Sequence, residues 1–469
     1  MKYTRIKIAA MLALGTLAFG SCKKYLDVNQ NPNIANNPGI ELVLPSAEVA
    51  IAHVLGNNFQ VNGSFWSQYW TQSPLANQYK QYDQYAPSTD NYNRAWSTLY
   101  SGALADLNYV YNKAASSNNK QYMAVSQLLR AYTFQLITDA WGDVPYTQSL
   151  LGLPDNGGIV SPKYDAQSAI YDSLIKQVDQ AIALIDPNAE IHPGADDVIY
   201  QGDMQKWAKF AYTLKLKMAL RMSEINPVKS EALVDSIMND PNHEFIAAGD
   251  DALVTFSTAG GSENPLYSEM VGYGKTQNIF ASKTCVDSMN SNADPRVFVF
   301  YKPLSNGTVV GNTQGDYNNS TSASGKSIGS AAVGAEAAAR GWGTGGDDQT
   351  LFYDAIDASF ENYGITDAAE ISYYKDSTYW GIYPAAGTTS DKIRHIVTQK
   401  WFSMCGNQGF EAWTEQRRTG YPDFLIQSVN SLIGAKKPAR FLYPTEEINL
   451  NANFPGLKQV DVKVWWDAN

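Results

Sequence analysis

Metal chemistry would need clustered ligands, and the four histidines, His53, His192, His243 and His395, are far apart in the chain. There is no His-Glu-x-x-His motif and no paired-cysteine motif, so no zinc site is expected. Gly325-Lys326-Ser327 has the end of a phosphate-binding loop, but Ser320 stands where that loop needs a glycine and no apolar strand precedes it. It reads as linker. No Gly-x-Ser-x-Gly elbow is present. Asp347, Asp348, Asp354 and Asp357 lack the alternating spacing and central glycine of a calcium loop, and helix capping explains them better. Nothing in the chain points to the facing carboxylates of a glycoside hydrolase. No catalytic residue, metal or cofactor is therefore assigned, and calcium support of a loop stays open.

Reversible binding is a different chemistry, and one segment suits it. Asn57 to Asn93 holds nine aromatics, twelve Asn or Gln and only three charged residues. Sugar rings offer C–H faces to aromatic planes and hydroxyls to amides, so that combination is suited to a neutral glycan. Its candidate ligand residues are Trp66, Tyr69, Trp70, Tyr79, Tyr82 and Tyr85. A competing reading puts Phe65, Tyr69 and Gln72 on one helix face as core. A second cluster, Tyr373, Tyr374, Tyr379, Trp380 and Tyr383, lies in a loop-like stretch before a helix around Ile393 to Met404. Tyr379 and Trp380 are its candidate stacking surfaces. Trp342 is expected to pack between helices.

Helices must carry these residues. Tyr122, Val125, Leu129, Tyr132 and Leu136 recur at three- and four-residue steps, as do Tyr171, Leu174, Val178, Ile182 and Ile185, and Trp207, Phe210, Leu214 and Met218. Each set is one buried stripe, and Lys206, Lys209, Lys217 and Arg221 read as the solvated face of the third helix. Pro187, Pro227 and Pro241 mark breaks, with a short helix from Val228 to Asn239 between the last two. From Ala335 an Ala-rich helix, a glycine turn and a helix with Phe352, Ile356, Ser359 and Tyr363 on one side resemble a tetratricopeptide unit. Tyr164 to Pro187 looks like the second helix of another. Lys302 to Gly329 has 17 Gly, Ser, Asn or Thr among 28 residues and reads as a long surface loop. The expected fold is mainly α, a tetratricopeptide-like scaffold with long irregular loops and little β structure.

At the N-terminus, Lys2, Arg5 and Lys7 precede an apolar run from Ile8 to Phe19, then Gly20, Ser21 and Cys22. A helix of that run reaches only about 18 Å, short of the roughly 30 Å of a bilayer core, so it reads as a removable secretion signal. The small residues before Cys22 resemble a lipobox, although Phe19 replaces the usual Leu. Residues 1–21 are expected to be cut away and Cys22 to carry lipid that anchors the chain. Residues 22–40 would then form a tether and 41–469 a single domain, with Asn57–Asn93 and Lys302–Gly329 as insertions. No later segment is expected to span a membrane. The signal peptide contains three basic residues and no acid, so its removal takes the formal charge from −11 to −14 and argues against a nucleic-acid partner. Cys285 and Cys405 are expected to be separately buried thiols.

Several segments in order resemble the SusD/RagB family of outer-membrane nutrient-binding lipoproteins, particularly its second, SusD-like branch. They are Cys22-Lys-Lys-Tyr-Leu-Asp-Val-Asn-Gln-Asn-Pro-Asn33, Arg130-Ala-Tyr-Thr-Phe-Gln-Leu-Ile-Thr-Asp-Ala-Trp-Gly-Asp-Val-Pro-Tyr146, Gln399-Lys-Trp401 and Gly409-Phe-Glu-Ala-Trp-Thr-Glu-Gln-Arg-Arg-Thr-Gly-Tyr-Pro422. Pro438-Ala-Arg-Phe-Leu-Tyr-Pro444 and Val464-Trp-Trp-Asp467 extend the likeness to the C-terminus. The resemblance implies a non-enzymatic lipoprotein on the outer membrane of a Bacteroidota-type bacterium, facing outward. It also implies capture of oligosaccharides or peptides for a SusC/RagA-type TonB-dependent channel. A surface glycan hydrolase and a helical-repeat protein scaffold are the alternatives. The motifs themselves read as structural. Trp141 to Tyr146 is a helix end, a glycine turn and an extended exit, while Arg417 and Arg418 lie one turn from Glu411, Trp413 or Glu415 and should pair within the fold.

Overall fold

The computed structural model describes residues 37–247, 249–257, 259–318 and 347–469. The leader, Cys22, nearly all of the tether, residues 319–329, the Ala-rich helix after Ala335 and Trp342 lie outside them. Helix α1 (Ile40–Val54) continues through a π turn at Leu55–Phe59 into α2 (Gln60–Trp66). By length and apolar composition this Ile40–Trp66 run of 27 residues could cross a membrane, which corrects the expectation that no segment after the leader qualifies. Its apolar side chains have protein partners: Leu44, Ala47, Ile51 and Val54 of α1 and every residue of α2 are buried, so the run contributes its inner face to the core.

A helical array follows, formed by α3 (Ala105–Ser116), α4 (Lys120–Trp141), α5 (Gln167–Ile182), α6 (Met204–Arg221) and α7 (Pro227–Met238). Each packs on the next in sequence, and α3 also packs on α1, the stacking of a helical-repeat scaffold. Asp203 caps α6, accepting from Gln205 N at 3.0 Å and Lys206 N at 3.1 Å. Pro227, expected as a break, opens α7 at its first turn, where its missing N–H costs nothing, and Asn226 caps it. Gly142, at φ +79°, ends α4, and the chain leaves as an extended pair, Val144–Pro145 (β2), against Tyr164–Asp165 (β3). The other ribbon pairs Trp70–Gln72 (β1) antiparallel with Ile279–Ala281 (β4), so strands are few and short.

The second half holds α8 (Lys283–Ser291), α9 (Asp348–Asn362), α10 (Ala368–Ser377), α11 (Thr389–Ser403) and α12 (Gly409–Thr419). Asp347 caps α9, accepting from Thr350 N at 2.9 Å, and Phe352, Ile356 and Ser359 form its buried face as the periodicity predicts. Tyr373 and Tyr374 lie on α10, not in a loop as expected: Asp367 supplies the cap that starts this helix. Helix α12 crosses α2 at Gly63 and Gly409. A Cβ on Gly63 would lie 2.1 Å from Phe410 N, so only glycine allows that approach.

Phe441 is the hub where the family-like motifs meet. Its ring lies 4.6 Å from Tyr92, 5.3 Å from Phe59, 5.5 Å from Trp141 and 5.6 Å from Trp66. It stacks on Trp413 at 5.4 Å, and its amide donates to Ala140 O at 2.7 Å. The aromatic-rich segment thus supplies much of the core.

The expected solvated face of α6 needs correcting at Arg221. This guanidinium is fully buried, donating to Glu411 Oε1 at 2.7 Å and to Glu415, with Asp139 Oδ2 3.4 Å from its Nε. Lys217 joins Glu411 at 2.9 Å and Lys400 joins Glu415 at 3.0 Å. Burial alone would raise the Glu411 carboxyl, but Arg221, Lys217 and Lys400 outweigh it and hold it at about 2. Arg418 pairs with Glu415 at 2.7 Å, and the Arg417 guanidinium lies 3.4 Å from the centre of the Trp413 ring. Both arginines are thus engaged within the fold.

Lys302–Gly329 also departs from a pure surface loop. Among its described residues, Gly311, Asn312, Gln314 and Gly315 are buried. Gln314 Nε2 enters the interior by donating to Phe65 O at 3.2 Å, Trp70 O at 3.1 Å and Asp83. Cys285 and Cys405 are buried and free of a disulfide, but not separately as expected: the two thiols are neighbours, with Tyr301 Oη 3.4 Å from Cys405 Sγ.

Candidate ligand-binding surface

Of the aromatics expected to meet a ligand, only Tyr379 is exposed, at 59%. Trp66, Tyr69, Trp70, Tyr79, Tyr82, Tyr85 and Trp380 are buried, which removes them as open stacking faces in this conformation. Each is occupied inside the fold. Trp66 Nε1 donates to Tyr82 O at 3.1 Å and its ring lies 4.7 Å from Trp413. Tyr69, expected on a helix face, lies beyond the end of α2 and donates through its hydroxyl to Trp401 O at 2.5 Å. Trp70 is in β1 opposite Ala281. Tyr79 and Tyr82 stack at 6.1 Å, and burial pushes the Tyr82 hydroxyl up to about 12 against the lowering effect of Asn62 and Asn91. Tyr85 turns the chain at φ 56°.

The same segment nevertheless builds one side of an exposed surface. Beyond β1, Gln72 holds the loop that follows: its Nε2 donates to Ser73 O at 2.8 Å and Ala76 O at 2.9 Å, while its Oε1 accepts from Tyr79 N at 2.6 Å. Asp83, fully buried, fastens the strand by accepting from Thr71 Oγ1 at 2.9 Å and Gln72 N at 2.6 Å. Burial pushes its carboxyl up to about 7, with the bonds from Gln72, Thr71 and Gln314 pulling the other way. Leu75 stands out at the loop's tip.

The opposite side comes from the chain entering β4. Asn264 accepts from Leu266 N at 3.0 Å and Tyr267 N at 3.2 Å, starting a short helical turn that passes into a π turn at Ser268–Gly272. Glu269 ties this turn to the first loop. Its Oε2 accepts from Asn57 Nδ2 at 3.2 Å, and its Oε1 accepts from Tyr79 Oη at 3.2 Å and from Gln78 Nε2 at 2.5 Å. Lys275 Nζ stands 3.5 Å from the same oxygen and 5.6 Å from the centre of the Tyr273 ring. Tyr267 and Tyr273 are then left exposed, at 46% and 74%, as is Val271 between them in the chain, while Leu75 and Asn77 are exposed on the first loop.

Two open tyrosine rings beside amides and a Glu–Lys pair can stack on an apolar ring face and hydrogen-bond its substituents. Sequence reasoning missed Tyr267, Tyr273 and Glu269. The available signal was the pair of tyrosines within the Gly- and Ser-rich run from Ala259 to Gly274. Tyr379 belongs to a separate exposed feature, where its hydroxyl accepts from Arg394 Nη1 at 2.9 Å, while Arg394 also covers Trp380 at 5.1 Å and meets Asp423. Among the described residues, no group of three or more His, Cys, Asp or Glu is placed to hold a metal ion.

Comparison with known proteins gives a consistent placement. The SusD-like family described as "Starch-binding associating with outer membrane" matches residues 33–444. No curated protein matches the chain. Among solved structures, a SusD homolog from Bacteroides uniformis is 23% identical with a TM-score of 0.73, covering 91% of this chain and 99% of that one. A chitin-binding SusD homolog from Flavobacterium johnsoniae is 22% identical with a TM-score of 0.71, covering 90% and 99%. A SusD-like protein of the Bacteroidetes is 20% identical with a TM-score of 0.77, covering 92% and 100%. At these identities the structures speak for the shared helical fold, and the match across most of the chain places this protein in the SusD-like branch of the SusD/RagB family.

Proposed function

We propose that this protein is a non-enzymatic glycan-binding lipoprotein of the outer membrane that captures oligosaccharides and passes them to a TonB-dependent channel. The observation that carries the reading is the exposed pair Tyr267 and Tyr273, on a turn clamped through Glu269 to Gln78 and Tyr79 of the loop after β1 and to Asn57 of the π turn between α1 and α2. Two families of groups, flat apolar faces and neutral hydrogen-bonding amides, meet there as a sugar requires. The family's description and the chitin-binding relative support a glycan over a peptide. The sequence supports export and lipid attachment at Cys22. Glu269 is engaged by three side-chain donors and Lys275, which suits a positioning role rather than that of a free general acid.

The test is a glycan and peptide array with chain lacking residues 1–22, followed by calorimetry on the best ligand. Tyr267→Ala and Tyr273→Ala should each weaken glycan binding about tenfold, in keeping with the loss of one stacking contact worth about 1–1.5 kcal/mol. Unchanged affinity in both variants would move the ligand elsewhere, and turnover of the bound oligosaccharide would replace the binding reading with a hydrolase. Co-purification of a TonB-dependent channel with the lipidated protein checks the delivery step.

A further inference from the structure

The chain has three cysteines, and Cys22 is read as the lipid-bearing one. The other two, Cys285 and Cys405, stand 120 positions apart in sequence yet meet in the core, both fully buried. Cys285 is in the first turn of α8, shortly after β4, and Cys405 is in the turn that joins α11 to α12. One network brings them together. Tyr69 O accepts from Ser282 N at 3.0 Å, which fixes the start of α8, and from Tyr301 Oη at 3.0 Å. Tyr69 Oη in turn reaches Trp401 O near the end of α11. The Tyr301 hydroxyl is within hydrogen-bonding reach of both thiols, 3.4 Å from Cys405 Sγ, and the thiols are within such reach of each other.

Two thiols in contact inside a closed core gain little as thiols, because S–H is a weak donor, and in a compartment that oxidises cysteine such a pair persists as a disulfide. We propose that Cys285 and Cys405 form a disulfide in the exported protein, stapling the start of α8 to the joint between α11 and α12. The inference rests on the exported location in the proposed function and not on glycan binding. The oxidant is an organic disulfide, such as that carried by a thiol oxidase. One cysteine thiolate attacks it and displaces one of its sulfurs as a thiol; the second thiolate attacks the resulting mixed disulfide and displaces the other. The pair gives up two electrons and two protons, and the oxidant's S–S bond becomes two thiols. Because both sulfurs are sealed in the folded core, this exchange precedes its closure. Tyr301 keeps its bond to Tyr69 O when the Cys405 thiol loses its hydrogen. The bond closes a loop of more than a hundred residues and so restricts the unfolded chain.

The experiment is peptide mapping of the full chain, expressed with its own leader, taken from the cell envelope and denatured in N-ethylmaleimide before any reductant. Trypsin releases Thr284–Arg296 and Trp401–Arg417, which should appear as one unlabelled linked species, two hydrogens lighter than the two peptides together. Each should take up a maleimide only after reduction. In a second arm, chain lacking residues 1–22 is reduced, unfolded in urea and refolded with oxidised glutathione; the same two peptides should link. Cys285→Ala should lower the melting temperature by about 3 °C more in the oxidised chain than in the reduced one, since the smaller side chain costs the same in both and only the first loses a bridge. An uncleaved leader would overturn the exported location, and with it the bond in the cell, while the refolding arm still scores the pair. Maleimide on both peptides from exported chain, no linkage on refolding, or equal drops in melting temperature would overturn the proposal.

Discussion

At the scale of single residues, burial decides which groups are chemically free. Glu48 lies inside α1 and accepts from Val198 N at 2.8 Å. Burial, then the nearby charge of Asp197, pushes its carboxyl up to about 9. The folded chain therefore holds a proton that the unfolded chain, near its ordinary value, has released. Stability contributed at this position is greatest below about pH 4.5, falls as pH rises, and levels off above about pH 9. Glu48→Gln keeps the shape without the titration, so its melting temperature should fall less than that of the parent between pH 5 and 9, by more than about 5 °C. Equal falls in the two proteins would assign the alkaline sensitivity elsewhere. Glu269 acts differently, as a clamp: Glu269→Ala should release the Ser268–Gly272 turn and weaken glycan binding about tenfold or more, with little change in overall stability. A loss of fold by circular dichroism would contradict that assignment.

At the scale of elements, the crossing of α2 and α12 sets the geometry beneath the aromatic core. Gly63 and Gly409 bring the helices into backbone contact, and Gln60 Oε1 accepts from Gly409 N at 3.0 Å across the join. Gly63→Ala places a methyl group where Phe410 N already sits. The helices must separate, and urea unfolding should show a loss of about 2 kcal/mol or more. A neutral result would mean that α12 is free to slide. The ribbon of β1 and β4 has another role, delivering the Gln72 loop and the Tyr267–Tyr273 turn to one end of the fold.

At the scale of the whole molecule, distant segments converge on two centres, the Phe441 aromatic hub and the charges around Arg221. Phe441→Ala removes a ring that touches helices from both halves and should cost about 3–5 kcal/mol in chemical denaturation. Arg221→Ala leaves Glu411 and Glu415 buried with fewer cations and should cost a similar 3–5 kcal/mol or so. The depressed Glu411 carboxyl contributes stability that is complete above about pH 4.5 and is lost as pH falls through about 2. Acid titration of the Arg221→Ala fold should move that loss to higher pH.

What the sequence makes legible is local. The stripes of α4, α5 and α6, the turn at Gly142, the cap at Asp347 and the pairing of Arg418 with Glu415 each depend on residues within a few positions, where helical periodicity and hydrogen-bonding chemistry suffice. Family membership was legible too, because motif order survives in sequence. Local spacing could not tell a buried aromatic from an open one. Trp66 and Tyr69 are covered by Trp413 and Trp401, which lie more than 300 residues further along the chain. Arg221 looks solvated until α12 brings its acids, and Tyr267 becomes part of a surface only when Glu269 reaches Asn57 and Gln78. Periodicity and motif order carry the long central helices and the class of protein; packing selects which side chains remain free to bind, because exposure depends on partners that arrive from elsewhere in the chain.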